Sequence, residues 1–146
     1  MNETVIQVTS LGKRIKGKTI LEEISFEINK GDCVALIGPN GAGKTVLMSC
    51  ILGDKKPSNG QVLIDGKAGK AKNKIAVLLQ ENTIPNSLKV EELIAFFQSI
   101  SDNPLTNQEV QELLQFKEDQ YQQFADKLSG GQRRLLAFVL CLIDKP

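Results

Sequence analysis

Residues 5–8 and 20–28 alternate between apolar and polar positions. Ile20, Glu22, Ile24, Phe26 and Ile28 fall mainly on one side, which predicts two strands with one half-buried face. Asn29-Lys30-Gly31-Asp32 reads as a turn, and the unbroken apolar run at 33–37 as a further strand. The opening third thus predicts a small antiparallel sheet leading into an α/β core. A helical stretch follows at 44–52, then a loop at 54–60 bearing Pro, Ser, Asn and Gly. Gln61-Val62-Leu63-Ile64-Asp65-Gly66 predicts a short strand closing in a turn, and 75–79 another apolar strand ending at Gln80.

Beyond Gln80 the period changes from two to helical. Leu93, Phe96, Phe97 and Ile100 recur at helical spacing within 90–100, a stripe read mainly as core with only its exposed rim free for a partner. Thr106-Asn107-Gln108-Glu109 has the form of a capping box, and so has Ser129-Gly130-Gly131-Gln132. The second box opens a helix from about 130 to 143, whose apolar second half predicts burial on all sides. The chain reads as one domain over 1–146 with a helical insert at about 81–128, and shows no repeat or low-complexity tract.

Composition narrows this little. Of 146 residues, 41% are apolar and 24% charged, as in ordinary water-soluble globular proteins. Eighteen basic residues against 17 acidic ones give no global reason to expect nucleic acid or an anionic membrane as partner. The local clusters Lys13, Arg14, Lys16, Lys18 and Lys67, Lys70, Lys72, Lys74 lack interleaved aromatics and read as solvated loops. Cys33, Cys50 and Cys141 are too far apart for a CxxC site and read as core residues in a reducing compartment. The absence of histidine removes imidazole ligands and bases. No secretion signal is legible, and the longest apolar run, 135–143, is too short to cross a bilayer.

Chemistry concentrates in Gly38-Pro39-Asn40-Gly41-Ala42-Gly43-Lys44-Thr45, which matches GxxxxGK[ST] between a strand-like run and a helix. Such a loop points backbone N–H groups and the positive end of a helix at a phosphate. Gly38, Gly41 and Gly43 permit close backbone approach, Lys44 supplies a charge for β- and γ-phosphates, and the Thr45 hydroxyl can face Mg²⁺. The fold class is therefore α/β, a P-loop NTPase core with an N-terminal antiparallel β subdomain and a helical insert.

Paired with Leu128-Ser129-Gly130-Gly131-Gln132, this loop resembles the nucleotide-binding domain of an ABC transporter. The resemblance runs from Val5 to Pro146 and takes in Ile24-Ser25-Phe26, Pro57-Ser58-Asn59-Gly60-Gln61-Val62, Asp65-Gly66 and Gln80, all in the family's order. It implies that Gln80 contacts Mg²⁺ or the attacking water and couples the site to a transmembrane permease. It also implies that Ser129, Gly130, Gly131 and Gln132 meet ATP held by a second nucleotide-binding domain in a head-to-tail dimer. Where the family often stacks an aromatic residue on adenine, this chain has Ile15, which offers apolar contact only.

The family's buried strand ending in Asp-Glu lies beyond a proline equivalent to Pro146, and its C-terminal core strands are missing here. Asp65 reads as a turn residue and Asp144 as a helix end, so neither replaces that pair. The expectation is an ATP-binding subunit on the cytoplasmic face of the membrane, part of an ATPase when complete but inactive as these residues alone. A nucleotide-binding remnant, or a soluble ABC-type ATPase outside transport, remains the alternative.

Overall fold

The computed structural model describes residues 3–68, 75–79 and 84–146. The chain forms two compact units, Met1–Lys72 and Asn73–Pro146.

In the first unit, β1 (Thr4–Ile15) and β2 (Lys18–Asn29) make an antiparallel hairpin. Lys16 and Gly17, with φ of 47° and 79°, turn it in two residues. β3 (Asn59–Ile64) pairs with the other edge of β1, and β4 (Lys67–Ala68) follows the Asp65-Gly66 turn, giving the order β2-β1-β3-β4. Helix α1 (Lys44–Ile51) lays Leu47, Cys50 and Ile51 into one core with Val8, Leu11 and Leu21.

The hairpin is longer than the alternation predicts, and its inward face differs. The register shifts at four places along the hairpin, and two of these shifts lie beside residues with positive φ, Ser10 (44°) on β1 and Glu23 (48°) on β2. A bulge moves every later side chain to the other face. Leu21, off the predicted apolar side, is therefore buried, whereas Ile20 is half-buried and Glu22 exposed.

Two predicted strands are not strands. Residues 33–37 and 75–79 join no ladder among the described residues, and Val34, Leu36, Ile37, Val77 and Leu79 are exposed. A parallel core strand exists only through neighbours that take its N–H and C=O groups, and no described segment fills that role for either run. Cys33 is exposed for the same reason, not a core residue; Cys50 is buried and Cys141 half-buried.

The second unit is helical: α2 (Val90–Ser99), α3 (Asn107–Leu114), α4 (Glu118–Tyr121), a 3₁₀ turn (Ala125–Lys127) and α5 (Gly130–Leu142). Its core joins Val90, Leu93 and Ile94 of α2 to Val110 and Leu114 of α3 and Leu136, Val139 and Leu140 of α5. Leu105 N–H donates to Ile143 O at 2.8 Å and ties the α2–α3 connection to the end of α5. The α2 stripe is narrower than its spacing predicts. Phe96 and Ile100 are 55% and 63% exposed, because only one side of α2 meets other helices, while Phe97 packs against the core. The second half of α5 is not buried all round: Leu135 and Phe138 stay open, with no described element over that side.

Candidate functional site

The Gly38–Thr45 loop is built around its own lysine. Lys44 Nζ donates to Gly38 O at 2.6 Å and to Pro39 O at 2.7 Å, so the ammonium is folded over the loop that precedes it. Ala42 N–H closes the inner turn on Pro39 O. Gly41 and Gly43, with φ of 84° and 89°, lie in the left-handed region that side chains disfavour. At Gly43 the space is also taken: a β-carbon would stand 2.8 Å from Leu21 Cδ2 and 3.2 Å from Ile20 O.

Gly43 is the N-cap of α1, and no side chain caps the helix; its first turn holds no acidic residue. The N–H groups opening a helix have no intrahelical acceptor, so this end presents donors and the positive end of the helix dipole. Thr45, in that first turn, is exposed. Donors, an ammonium and a free hydroxyl around an uncapped helix start are what a polyphosphate with its Mg²⁺ requires, so these residues fit that ligand. Pro39, Asn40 and Ala42 are exposed in the same loop.

Ile15 ends β1, half-buried, paired with Lys18 across the hairpin. Four hydrogen bonds tie Lys56, Ser58 and Asn59, after α1, to the same strand. Lys13 Nζ donates to Lys56 O, Ser58 N–H to Gly12 O, Arg14 N–H to Ser58 Oγ and Asn59 Nδ2 to Ser10 O. Gln80 lies outside the described residues, as do Lys70, Lys72 and Lys74. Asp65 occupies a turn with φ 48°, and Asp144 follows the end of α5, as expected.

In the second unit Ser129 caps α5. Gln132 N–H donates to Ser129 Oγ at 3.3 Å, and Ser129 N–H donates to Gln132 Oε1 at 3.0 Å. Gly130 and Gly131 face open space, where an added β-carbon would meet nothing within 4 Å. Among the described residues nothing asks for glycine there. Arg133, two residues beyond Gly131, holds Asn86 Oδ1 through Nη2 at 2.9 Å.

The sequence reading missed Ile20 and Leu21 beneath Gly43, and the grip of residues 56–59 on β1. The paired positive-φ bulges that aim Leu21 inward have no local signature. The Pro57-Ser58-Asn59-Gly60 turn was visible as a loop but not as a contact.

The family model described as ABC transporter matches residues 21–146. A methionine import ATP-binding protein, MetN of Legionella pneumophila (strain Paris), is 34% identical over 155 residues, covering 97% of this chain and 46% of that protein. A petrobactin import ATP-binding protein, YclP of Bacillus subtilis, is 33% identical over 150 residues, covering 93% and 60%. The chain thus spans about half the length of these curated relatives. Among solved structures, cbiO1 of Clostridium perfringens, part of the cbiONQ transporter complex, matches at a TM-score of 0.83 and 23% identity over 99% of this chain and 63% of that one. An ATP-binding subunit of an ABC transporter matches at 0.75 and 24% identity, over 97% and 63%. At these identities the structural likeness speaks for the fold.

Proposed function

Because the chain belongs to the ABC transporter family, we propose that it binds MgATP as part of a transporter's ATP-binding subunit. The observation that carries this is the uncapped start of α1 beneath a left-handed Gly43, with Lys44 Nζ held over the same loop. Backbone N–H groups of 41–45 would hold the β- and γ-phosphates, and Lys44 would exchange a carbonyl for a phosphate oxygen. Thr45 and Gln80 would face Mg²⁺, and Ile15 would give the base an apolar contact. The bound metal supplies charge neutralisation at the γ-phosphate.

Phosphoryl transfer needs positioning and charge, to which these residues contribute, and a group that orients the attacking water, for which the family resemblance implies the Glu of an Asp-Glu pair. No Asp is followed by Glu anywhere in the 146 residues. We therefore expect binding without turnover from these residues alone. Residues 1–146 would form one nucleotide-binding domain with its helical insert at about 81–128.

Partners follow from the same reading. Gly130 and Gly131, open and met by no described residue, suit an approach by the triphosphate of a second copy, with Ser129 and the start of α5 providing the anion-favouring end. The exposed Phe96 and Ile100 on α2 offer apolar surface to a permease. No helix among the described residues is long and apolar enough to cross a membrane, and the proposed place of work is the cytoplasmic face, through that permease. The relatives named above import methionine or petrobactin by their names; this chain's cargo would be set by its permease.

Calorimetric titration with MgATP tests the proposal. Lys44→Ala should lower affinity about 100-fold, the loss of a charge-assisted contact. Unchanged binding would overturn the assignment of the loop.

A further inference from the structure

Residues 56–60 have no part in the phosphate chemistry, yet they are fastened to the strand that carries Ile15. Ser58 does this from both sides: its N–H donates to Gly12 O at 2.8 Å and its Oγ accepts from Arg14 N–H at 3.0 Å. Asn59 Nδ2 donates to Ser10 O at 3.0 Å, and Lys13 Nζ to Lys56 O. The approach leaves no room for a side chain at two glycines, against backbone at Gly60 and against the Asn59 side chain at Gly12. A β-carbon on Gly12 would overlap the Asn59 amide at 2.2 Å, and one on Gly60 would stand 2.3 Å from Ser10 O.

The other end of this strap is anchored to α1. Asp54 N–H and Lys55 N–H both donate to Ser49 O, at 2.9 and 3.0 Å. Helix α1 begins at Lys44, so one short rigid element links the phosphate loop to the strap, and the strap to residues 10–14 of β1. Ile15 comes next, directly before the Lys16-Gly17 turn, where beyond Arg14↔Thr19 only the pair Ile15↔Lys18 holds the hairpin end. Hairpin ends fray unless tied, and an aliphatic side chain makes no directional contact that would fix itself to a ring. Ser58 and Asn59 are exposed, so they bury no apolar surface on the strand's behalf.

We infer that Ser58 and Asn59 are positioning residues for the base end of the nucleotide site, setting Ile15 at a fixed distance from the phosphate loop through the Ser58–Arg14 and Asn59–Ser10 hydrogen bonds. The inference rests on the proposed ATP site and deepens it. A residue that sets the base contact affects ligands that carry a base. It leaves alone a ligand that is only phosphate.

The test is calorimetric titration of the full chain, and of Ser58→Ala and Ser58→Thr, with MgATP and with magnesium tripolyphosphate. Ser58→Ala should bind ATP about fivefold more weakly, the effect of one net hydrogen bond, with tripolyphosphate affinity unchanged. Ser58→Thr, which keeps the hydroxyl, should restore ATP binding. Equal losses for both ligands, or no loss for either, would overturn the inference, since Ser58 would then serve the fold alone. If Ser58→Ala does not fold, Asn59→Ala is read by the same ratio of affinities. Failure of the ATP site itself shows separately, as an unsubstituted chain that binds neither ligand, and overturns both.

Discussion

Leu21 and Gly43 fit together so closely that one methyl group cannot be added between them. A β-carbon at 43 would lie 2.8 Å from Leu21 Cδ2, in a backbone conformation of φ 89°. Gly41 has nearly the same φ, 84°, but its β-carbon would meet nothing. Gly41→Ala should therefore cost only the left-handed strain of about 1–2 kcal/mol. Gly43→Ala adds overpacking of about 1–3 kcal/mol. Urea unfolding of the two variants separates these contributions, and equal losses would remove Leu21 from the support of the loop.

Gly130 and Gly131 set stability against function. Both lie in the first turn of α5 with open space around them, and glycine costs a helix up to about 1 kcal/mol relative to alanine. Gly131→Ala is expected to leave stability equal or raised by up to about 1 kcal/mol, yet to weaken ATP-dependent self-association of the complete subunit. Thermal melting and analytical ultracentrifugation give the two readings, and intact association would sink the proposed role. Ser129→Ala should instead destabilise by about 1 kcal/mol, because it removes the acceptor for Gln132 N–H.

On α2 the same contrast separates core from surface. Leu93, 1% exposed, should cost about 2–5 kcal/mol when cut to alanine. Phe96→Ser and Ile100→Ser, at exposed positions, should change stability by less than about 0.5 kcal/mol. If a permease docks on this side, a photo-cross-linker at either position will capture the co-expressed membrane subunit. Capture from other positions only would move the docking surface elsewhere.

Acid should loosen α3 first at its start. Thr106 N–H donates to Glu109 Oε2 at 2.7 Å, Thr106 Oγ1 accepts from Glu109 N–H, and Lys145 Nζ lies 3.5 Å from Oε1. The Thr106 backbone bond foremost, then the Thr106 hydroxyl and the Lys145 ammonium, hold the Glu109 carboxyl below its ordinary value. A group whose folded value is lowered adds stability that is complete above its unfolded value and is lost as pH falls through the folded one. The protection factors of the α3 amides, the intrinsic exchange rate at each pH divided by the observed one, should thus be constant from neutrality down to the ordinary glutamate range and fall below it. Glu109→Gln should flatten that dependence; an unaltered profile would remove Glu109 as its source.

Features fixed by neighbours in sequence were legible. Thr106 and Ser129 each stand three residues before a side chain that completes the box, and Asp65-Gly66 turns where such a pair must. The turn geometry of the Gly38–Thr45 loop is equally local. What needs a distant partner was not legible. Residues 33–37 have the composition of a strand without a described neighbour, and Leu21 is turned inward by a bulge at Glu23 that alternation alone does not announce. Ser58 and Asn59 looked like loop residues because their acceptors and donors lie on β1, more than forty residues earlier. The exposed Leu135 and Phe138 show the same limit, since an apolar run reports preference and not whether anything covers it.

The edge-to-edge order of the sheet has a kinetic consequence. β2 leaves β1 at the Thr4↔Asn29 pair, and β3 returns to β1 at Gly12↔Asn59, so residues 30–58 form a detour whose two ends are stitched to the same strand. Closing such a detour is an entropic toll that grows slowly, about 0.6 kcal/mol for each doubling of length. Within it α1 is held by Leu47, Cys50 and Ile51, whereas residues 32–39 lie outside any helix or ladder. Amide exchange from 32–39 can then proceed by openings that leave both seams on β1 intact. The segment leading into the Gly38–Thr45 loop can thus open while the strand pairing on either side of it stays closed.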